Sequence, residues 1–299
     1  MGVFSIEAGA AEVSETMQVA FLGGGNMARA LIQGLLRQGM SAAEIRVGEP
    51  ASEPRAALQR EFGVQVTASN DAAIAGARLV LLAVKPQLLR AVLEPLCARL
   101  QQARPLLLSI AAGVRLADLE RVCPGVPLVR AMPNRAALVG ASITALFAPP
   151  GLPPALRTLA SNAMAAAGRS VWVDQESDLD IVTALSGSGP AYFFLLAEQM
   201  AAAARALGLE PATAELLARE TLRGAGALLA GPETLAEQRA AVTSRGGTTA
   251  AALAVMEERG FGALIGAAVT AATRRGEQLA QQFSNPDHPD VGASAPAAR

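Results

Sequence analysis

At 299 residues, with 52% hydrophobic side chains and a formal net charge of -1, the chain can build one large core or two modest ones and has no basic surplus for a nucleic-acid backbone. Its two cysteines, Cys97 and Cys123, have no metal-ligand spacing and make no disulfide framework in a chain this long, which suits a reducing cytoplasm. The single histidine, His288, lies in a Pro- and Asp-rich stretch near the C-terminus, so histidine acid-base chemistry is not expected.

Residues 1–16 contain Glu7, Glu12 and Glu15 without a basic start or a long apolar run, so a secretory signal is not expected and the segment reads as a disordered extension. From Met17, "MQVAFLGGGNMARALIQGLLRQG" reads as strand, turn and helix, with Met27, Ala30, Leu31, Gly34 and Leu35 at helical spacing. Gly23, Gly25 and Ala28 form the G-x-G-x-x-A version of the dinucleotide fingerprint, with a tight turn, a close backbone approach to pyrophosphate and a small residue for helix-strand packing. Alone, this pattern also describes an ordinary glycine-rich turn; the context strengthens the nucleotide reading. "EIRVGEP" follows as a second strand ending in Glu49, roughly 20 residues past the glycines, where a carboxylate meets ribose hydroxyls. "GVQVTAS", "LVLLAVKP", "PLLLSIAAG" and "PLVRAMPN" then read as short buried parallel strands separated by helical segments.

The expected fold is therefore a doubly wound, mostly parallel Rossmann-like α/β domain over residues 17–175. Ligands bind such sheets at the carboxyl ends of the strands, which makes "AVKPQ", "SIAAGV" and "AMPN" lips of one cleft. Two readings of Lys85 stand, a solubilising surface charge and a ligand-facing one. Glu49 favours a free 2′-hydroxyl on the cofactor, whereas Arg46 and Arg55 offer compensation for a 2′-phosphate, so NADH and NADPH both remain open.

From "DLDIVTALSGSGPAYFFLL" onward the strands stop, and helices are expected at about 190–207, 211–230, 233–242, 248–258 and 261–282. This all-α region, 176–283, reads as a dimerisation and substrate domain, followed by a disordered tail over 284–299. Ser188, Gly189 and Pro190 read as cap, small residue and first-turn proline of a long helix. That helix, "AYFFLLAEQMAAAARAL", contains Glu198 and Arg205 and is expected to be buried rather than to span a membrane. It is apolar almost all round, and a second copy of the same domain is its simplest cover. "TSRGGTT", Thr243 to Thr249, breaks the helical pattern with two glycines, four hydroxyls and an arginine. It is either a backbone-amide seat for a small carboxylate or a plain capping turn with Thr248 or Ser244 as N-cap.

Six blocks, "FLGGGNMARAL", "LAVKPQ", "LLSIAAGV", "VRAMPN", "TALSGSGPAYFF" and "VTSRGGTTAAAL", together resemble the pyrroline-5-carboxylate reductase family in order and spacing over residues 17–283. The resemblance implies NAD(P)H-dependent reduction of a cyclic imine carboxylate to proline by a homodimer that often assembles into decamers. It places Leu22, Gly23, Gly24, Gly25, Asn26 and Met27 on the cofactor pyrophosphate. Asn70, Ala83, Val84, Lys85 and Pro86 would line the cofactor, with Ala111 and Ala112 near the nicotinamide. Ser244, Gly246, Gly247, Thr248 and Thr249 would hold the substrate carboxylate, with Thr249 bonding the ring nitrogen. Glu176 is either a substrate neighbour or a solvated linker charge. The chain departs from the family at "MPNRA" and "SRGG", where M-P-N-T-P and S-P-G-G are usual, which introduces Arg135 and Arg245 near the expected site. The alternatives are a related imine reductase, a β-hydroxyacid dehydrogenase-like reductase, and a silent NAD(P)-binding sensor. The second normally needs a lysine on the helical domain, and the only lysine here is Lys85.

Overall fold

The computed structural model describes residues 18–284; the expected extension 1–16, Met17, and the tail from 285 with His288 lie outside the described residues. The first half alternates strand and helix: β1 Val19–Leu22, α1 Asn26–Arg37, β2 Ile45–Gly48, α2 Ser52–Phe62, β3 Gln65–Thr67, α3 Asn70–Ile74 and β4 Leu79–Leu82. It continues through α4 Leu89–Leu93, α5 Cys97–Ala103, β5 Leu106–Ser109, α6 Leu116–Val122 and β6 Leu128–Met132. Two further strands, β7 Ser142–Phe147 and β8 Gly168–Trp172, flank α7 Pro154–Ala165.

The eight strands form one sheet in the order β3-β2-β1-β4-β5-β6-β7-β8, parallel except for the β6–β7 pair. Register is set by the apolar strands at its centre, where Val19 pairs with both Ile45 and Leu79. Alternation along these strands feeds two cores: Phe21, Leu81 and Leu108 pack on one face, Leu22, Leu82 and Leu107 on the other. Both faces are covered by helices, as the near-continuous apolar runs required. β7 and β8 were not among the expected strands; the first runs antiparallel and the second is an edge with alternating exposure, so neither carries a continuous apolar run.

One close approach locks the first helix to this far edge. A Cβ on Gly34 of α1 would lie 2.0 Å from the Ala166 carbonyl oxygen in the turn leading to β8. Buried Cys123 sits beside Cys97; burial, then its neighbour, pushes the Cys123 thiol up to about 12, so it packs as a neutral group rather than acting as a nucleophile.

The second half is helical: α8 Asp178–Val182, α9 Gly189–Ala206, α10 Pro211–Leu228, α11 Leu235–Ala241, α12 Thr248–Glu258 and α13 Phe261–Ser284. The last helix runs through Ser284, one residue into the stretch expected as tail. "SGSGP" leads into α9 as expected, with Ser188 at its N-cap position and Pro190 in its first turn. Residues Thr183–Gly187 form a π-turn that joins α8 to α9 as one rod, and Ser188 makes no side-chain cap. The wider turn lets the Ser188 N–H reach Thr183 O (2.8 Å), and the Tyr192 hydroxyl donates to the freed Ala184 carbonyl (3.0 Å). This rod is long and apolar enough to cross a membrane by length and composition, a test that apolar helices of soluble proteins also pass. The expectation that it is buried fails within a single chain: Phe193 is 59% and Phe194 62% exposed, and only Gly189 and Ala201 of α9 are buried.

The halves are joined by ions rather than by apolar packing alone. Arg130 in β6, its side chain 5% exposed, donates to Glu176 Oε1 at 2.7 Å, and the same oxygen accepts the Leu116 N–H at the start of α6 (2.7 Å). Next to it Arg115 pairs with buried Asp180 of α8 at 2.5 Å. Glu176 is thus a fixed partner of a buried cation, not a solvated linker charge. Replacing Glu176 by Ala is expected to lower stability by about 3 kcal/mol, because it leaves the Arg130 guanidinium buried and unpaired. Gly34→Ala should cost roughly 1–3 kcal/mol by forcing α1 away from the Ala166 carbonyl. Thermal or urea unfolding measures both, and an unchanged midpoint for either variant contradicts the contact assigned to it.

Candidate active site

The glycine loop is shaped by the ends of three strands. Gly23 N–H donates to Gly48 O (2.9 Å), and Ala83 N–H donates to Leu22 O (2.9 Å). Gly23 has φ +96°, and a Cβ there would sit 2.8 Å from the Ala83 carbonyl oxygen, so the turn requires glycine twice over. Gly25 faces open space and begins α1 with no side-chain cap and no acidic residue in the first turn. The free amides of Asn26 and Met27 and the positive end of α1 are what a pyrophosphate needs. Ala28 is buried against the core, as the third fingerprint position demands.

Glu49, just past β2, spans the loop: its Oε2 accepts the Gly24 N–H (3.1 Å) and its Oε1 the Ala51 N–H (3.0 Å). Arg55 donates to the Glu49 and Pro50 carbonyls (2.8 Å each), and Arg46 to Gln65 and to the Ala72 and Ala75 carbonyls. Asn70, the first residue of α3, holds a buried Oδ1 with no hydrogen-bond donor, 2.3 Å from where a Cβ on Gly48 would stand. A buried acceptor without a donor among the described residues suits a ligand that brings hydroxyl donors. The loop, Glu49 and Asn70 therefore fit the ribose and pyrophosphate of a nicotinamide dinucleotide. Ala83 and Val84 are half-buried past β4, with exposed Lys85 and half-buried Pro86 opening the next turn. Ala111 is buried and Ala112 exposed past β5. All six lie at the carboxyl ends of neighbouring strands, on the edge that carries the glycine loop.

Beyond them opens a cleft of about 240 Å³ between α1 and the segment after β6, lined by Asn26, Met27, Met132, Asn134, Arg135 and Gly187 among others. Asn134 organises it. Its N–H donates to Ser142 Oγ (3.2 Å), its Oδ1 accepts the Ala136 N–H (3.1 Å), and its Nδ2 donates to the Ser186 carbonyl (3.1 Å) of the π-turn. A Cβ on Gly187 would meet Met132 Cε at 2.9 Å, so the π-turn lies directly on the end of β6.

The second glycine motif also has a defined shape. Gly247 is the N-cap of α12 with no side-chain cap, so neither Thr248 nor Ser244 caps the helix. Gly246 has φ +72°, and a Cβ on Gly247 would sit 2.4 Å from Ser244 Oγ. The amides at the start of α12 are left to an external acceptor. Thr248 is exposed and Thr249 half-buried, Arg245 is exposed, and no residue of α12 is buried in the single chain. The structure brings the predicted cofactor residues to one sheet edge; the Ser244–Thr249 turn stands apart on the exposed helical half. Sequence reasoning did not find Arg115, Arg130, Asp180 or Asn134. The available signal was a lone arginine inside the apolar strand "PLVRAMP", which needs a buried partner.

Comparison with known proteins agrees with this division. Residues 176–279 match a family model described as pyrroline-5-carboxylate reductase dimerisation, and residues 18–113 one described as NADP oxidoreductase, coenzyme F420-dependent. The chain is 43% identical to the pyrroline-5-carboxylate reductase of Pseudomonas aeruginosa, covering 90% of this chain and 98% of that protein. It is 42% identical to the Haemophilus influenzae enzyme, with 89% and 98% covered. A solved pyrroline-5-carboxylate reductase from Coxiella burnetii superposes with a TM-score of 0.85 at 37% identity, over 89% of this chain and 99% of that one. A glycine loop built for pyrophosphate, an open-capped Gly-Gly turn and these full-length likenesses converge: the chain belongs to the pyrroline-5-carboxylate reductase family.

Proposed function

We infer that the protein reduces the cyclic imine Δ1-pyrroline-5-carboxylate to proline with NADPH or NADH. The observation that carries this reading is the 43% identity over nearly the whole length of a pyrroline-5-carboxylate reductase, together with a glycine loop whose geometry suits a dinucleotide. When bound, the nicotinamide would supply the hydride for C5 of the ring, and the proton gained by the ring nitrogen would come from water. The protein's part is to hold and polarise. Gly23 to Met27 seat the pyrophosphate, Glu49 and Asn70 take the ribose hydroxyls, and Ala83 to Pro86 with Ala111 and Ala112 border the nicotinamide end.

The free amides of α12, with Ser244 and Thr248, hold the substrate carboxylate, and the Thr249 hydroxyl donates to the imine nitrogen. That bond withdraws electron density from C5 and orients the ring, which is most of what an imine reduction needs once donor and acceptor stand about 3 to 3.5 Å apart. Glu176 acts at a remove: with Arg130 it fixes the π-turn rod against β6, and it is not a substrate ligand in this reading.

Two features of the single chain call for a second copy. Apolar side chains of α9 and α10 such as Phe193, Phe194, Leu216 and Leu217 lie in water, and the carboxylate-binding turn sits on a helix with no buried residue. A homodimer covers the first and brings the second against a cofactor cleft. Two free thiols match work in the cytoplasm.

Purified protein should oxidise NADPH or NADH in the presence of the pyrroline and release proline; no turnover with either cofactor rejects the assignment. Thr249→Ala is expected to leave cofactor affinity unchanged and to lower kcat/KM about 10- to 1000-fold, as for other positioned donors. Unchanged kcat/KM takes Thr249 out of the mechanism. Light scattering at micromolar protein should give at least a dimer, and a monodisperse monomer would contradict the role given to the helical half.

A further inference from the structure

The cleft beside the glycine loop carries an exposed cation without a protein partner among the described residues. Arg135 lines it together with Asn26 and Met27, and its guanidinium has no hydrogen-bond or ion-pair partner among the described residues. No aspartate or glutamate lines the cleft. The same wall is the start of α1, a 12-residue helix with no side-chain cap and no acidic residue in its first turn, so its free amides add about half a positive charge. An anion held between the two would gain from both. Glu49, the acid of the loop, is engaged elsewhere by the Gly24 and Ala51 amides.

The backbone beneath Arg135 is held firmly. Asn134 is pinned by three hydrogen bonds to Ser142, Ala136 and Ser186, and Ala137, two residues on, is fully buried. Side-chain freedom is therefore confined to the exposed arginine itself, which lines the same cleft as the first residues of α1.

We propose that Arg135 is a cofactor-binding residue that pairs with the pyrophosphate of NADH or NADPH, closing it against the amides of Asn26 and Met27 from the side of the helical half. The proposal rests on the reductase reading, because it takes the dinucleotide as the anion. A planar guanidinium suits a diphosphate better than a point charge does, since it presents paired donors to paired oxygens.

Equilibrium titration tests it without turnover, using NADH, NADPH, ADP-ribose, which keeps the pyrophosphate but lacks nicotinamide, and adenosine, which lacks both. Arg135→Ala and the charge-removing Arg135→Gln are expected to weaken NADH, NADPH and ADP-ribose by similar factors of about 10 to 100, the size of a charge-assisted hydrogen bond. Adenosine binding should not change, Arg135→Lys should recover part of the loss, and the wild type should show the steeper salt dependence. Unchanged affinity for NADH and ADP-ribose in both variants overturns the proposal, including the case in which only the KM for the pyrroline rises because the guanidinium serves the substrate carboxylate. A wild-type protein that binds neither cofactor refutes the reductase reading as well, which separates the two failures.

Discussion

The arrangement of this molecule depends on one buried cation. Arg130 stands on β6 in the interior of the sheet, and an unpaired guanidinium there would cost far more than any local packing returns. Its partner, Glu176, comes from the segment where strands give way to helices, and the same carboxylate oxygen accepts the amide that opens α6. That shared contact leaves the helical half little choice of position. With Arg115 and Asp180 alongside, it seats the π-turn on the end of β6, so that Gly187 and Asn134 become walls of the same cleft as the glycine loop.

Charge and hydrogen-bond capacity then divide the site by task. The nucleotide side presents donors at the start of α1 and acceptors at Glu49 and Asn70, matching a ligand that is anionic at its centre and hydroxylated at its sugars. The start of α12 presents donors alone, from its open amides and the hydroxyls around it. Both helix starts offer backbone amides that suit negative charge. The second lies on a helix with no residue buried in the single chain, inside the region that matches the family's dimerisation model.

How much could be read from the residues alone varied with how local the constraint was. The G-x-G-x-x-A turn was legible because its glycines answer local demands: a positive φ at Gly23 and an open approach at Gly25. The central strands were legible because burial on both faces leaves an unbroken apolar run. β8 was not, since an edge strand alternates and borrows its partner from β7. "SGSGP" was legible in part: Ser188, Gly189 and Pro190 stand at the start of α9 as their local preferences dictate. Ser188 makes no side-chain cap, because a π-turn before it continues the rod from α8, and the Tyr192 hydroxyl donates to the carbonyl that the wider turn releases.

By itself the sequence determined the Rossmann-like half, its glycine loop, the helical second half and the family, because these follow from period, turn chemistry and motif order. Only the tertiary structure decided that Glu176 is the counter-ion of Arg130, that the long apolar helix stands exposed in a single chain, that Thr248 does not cap α12, and that Arg135 lines one cleft with the start of α1 and has no partner among the described residues. Each of those depends on which distant segments meet. An ion pair across 46 residues, or a cation left without one, is a property of the packed chain and has no signature in local pattern.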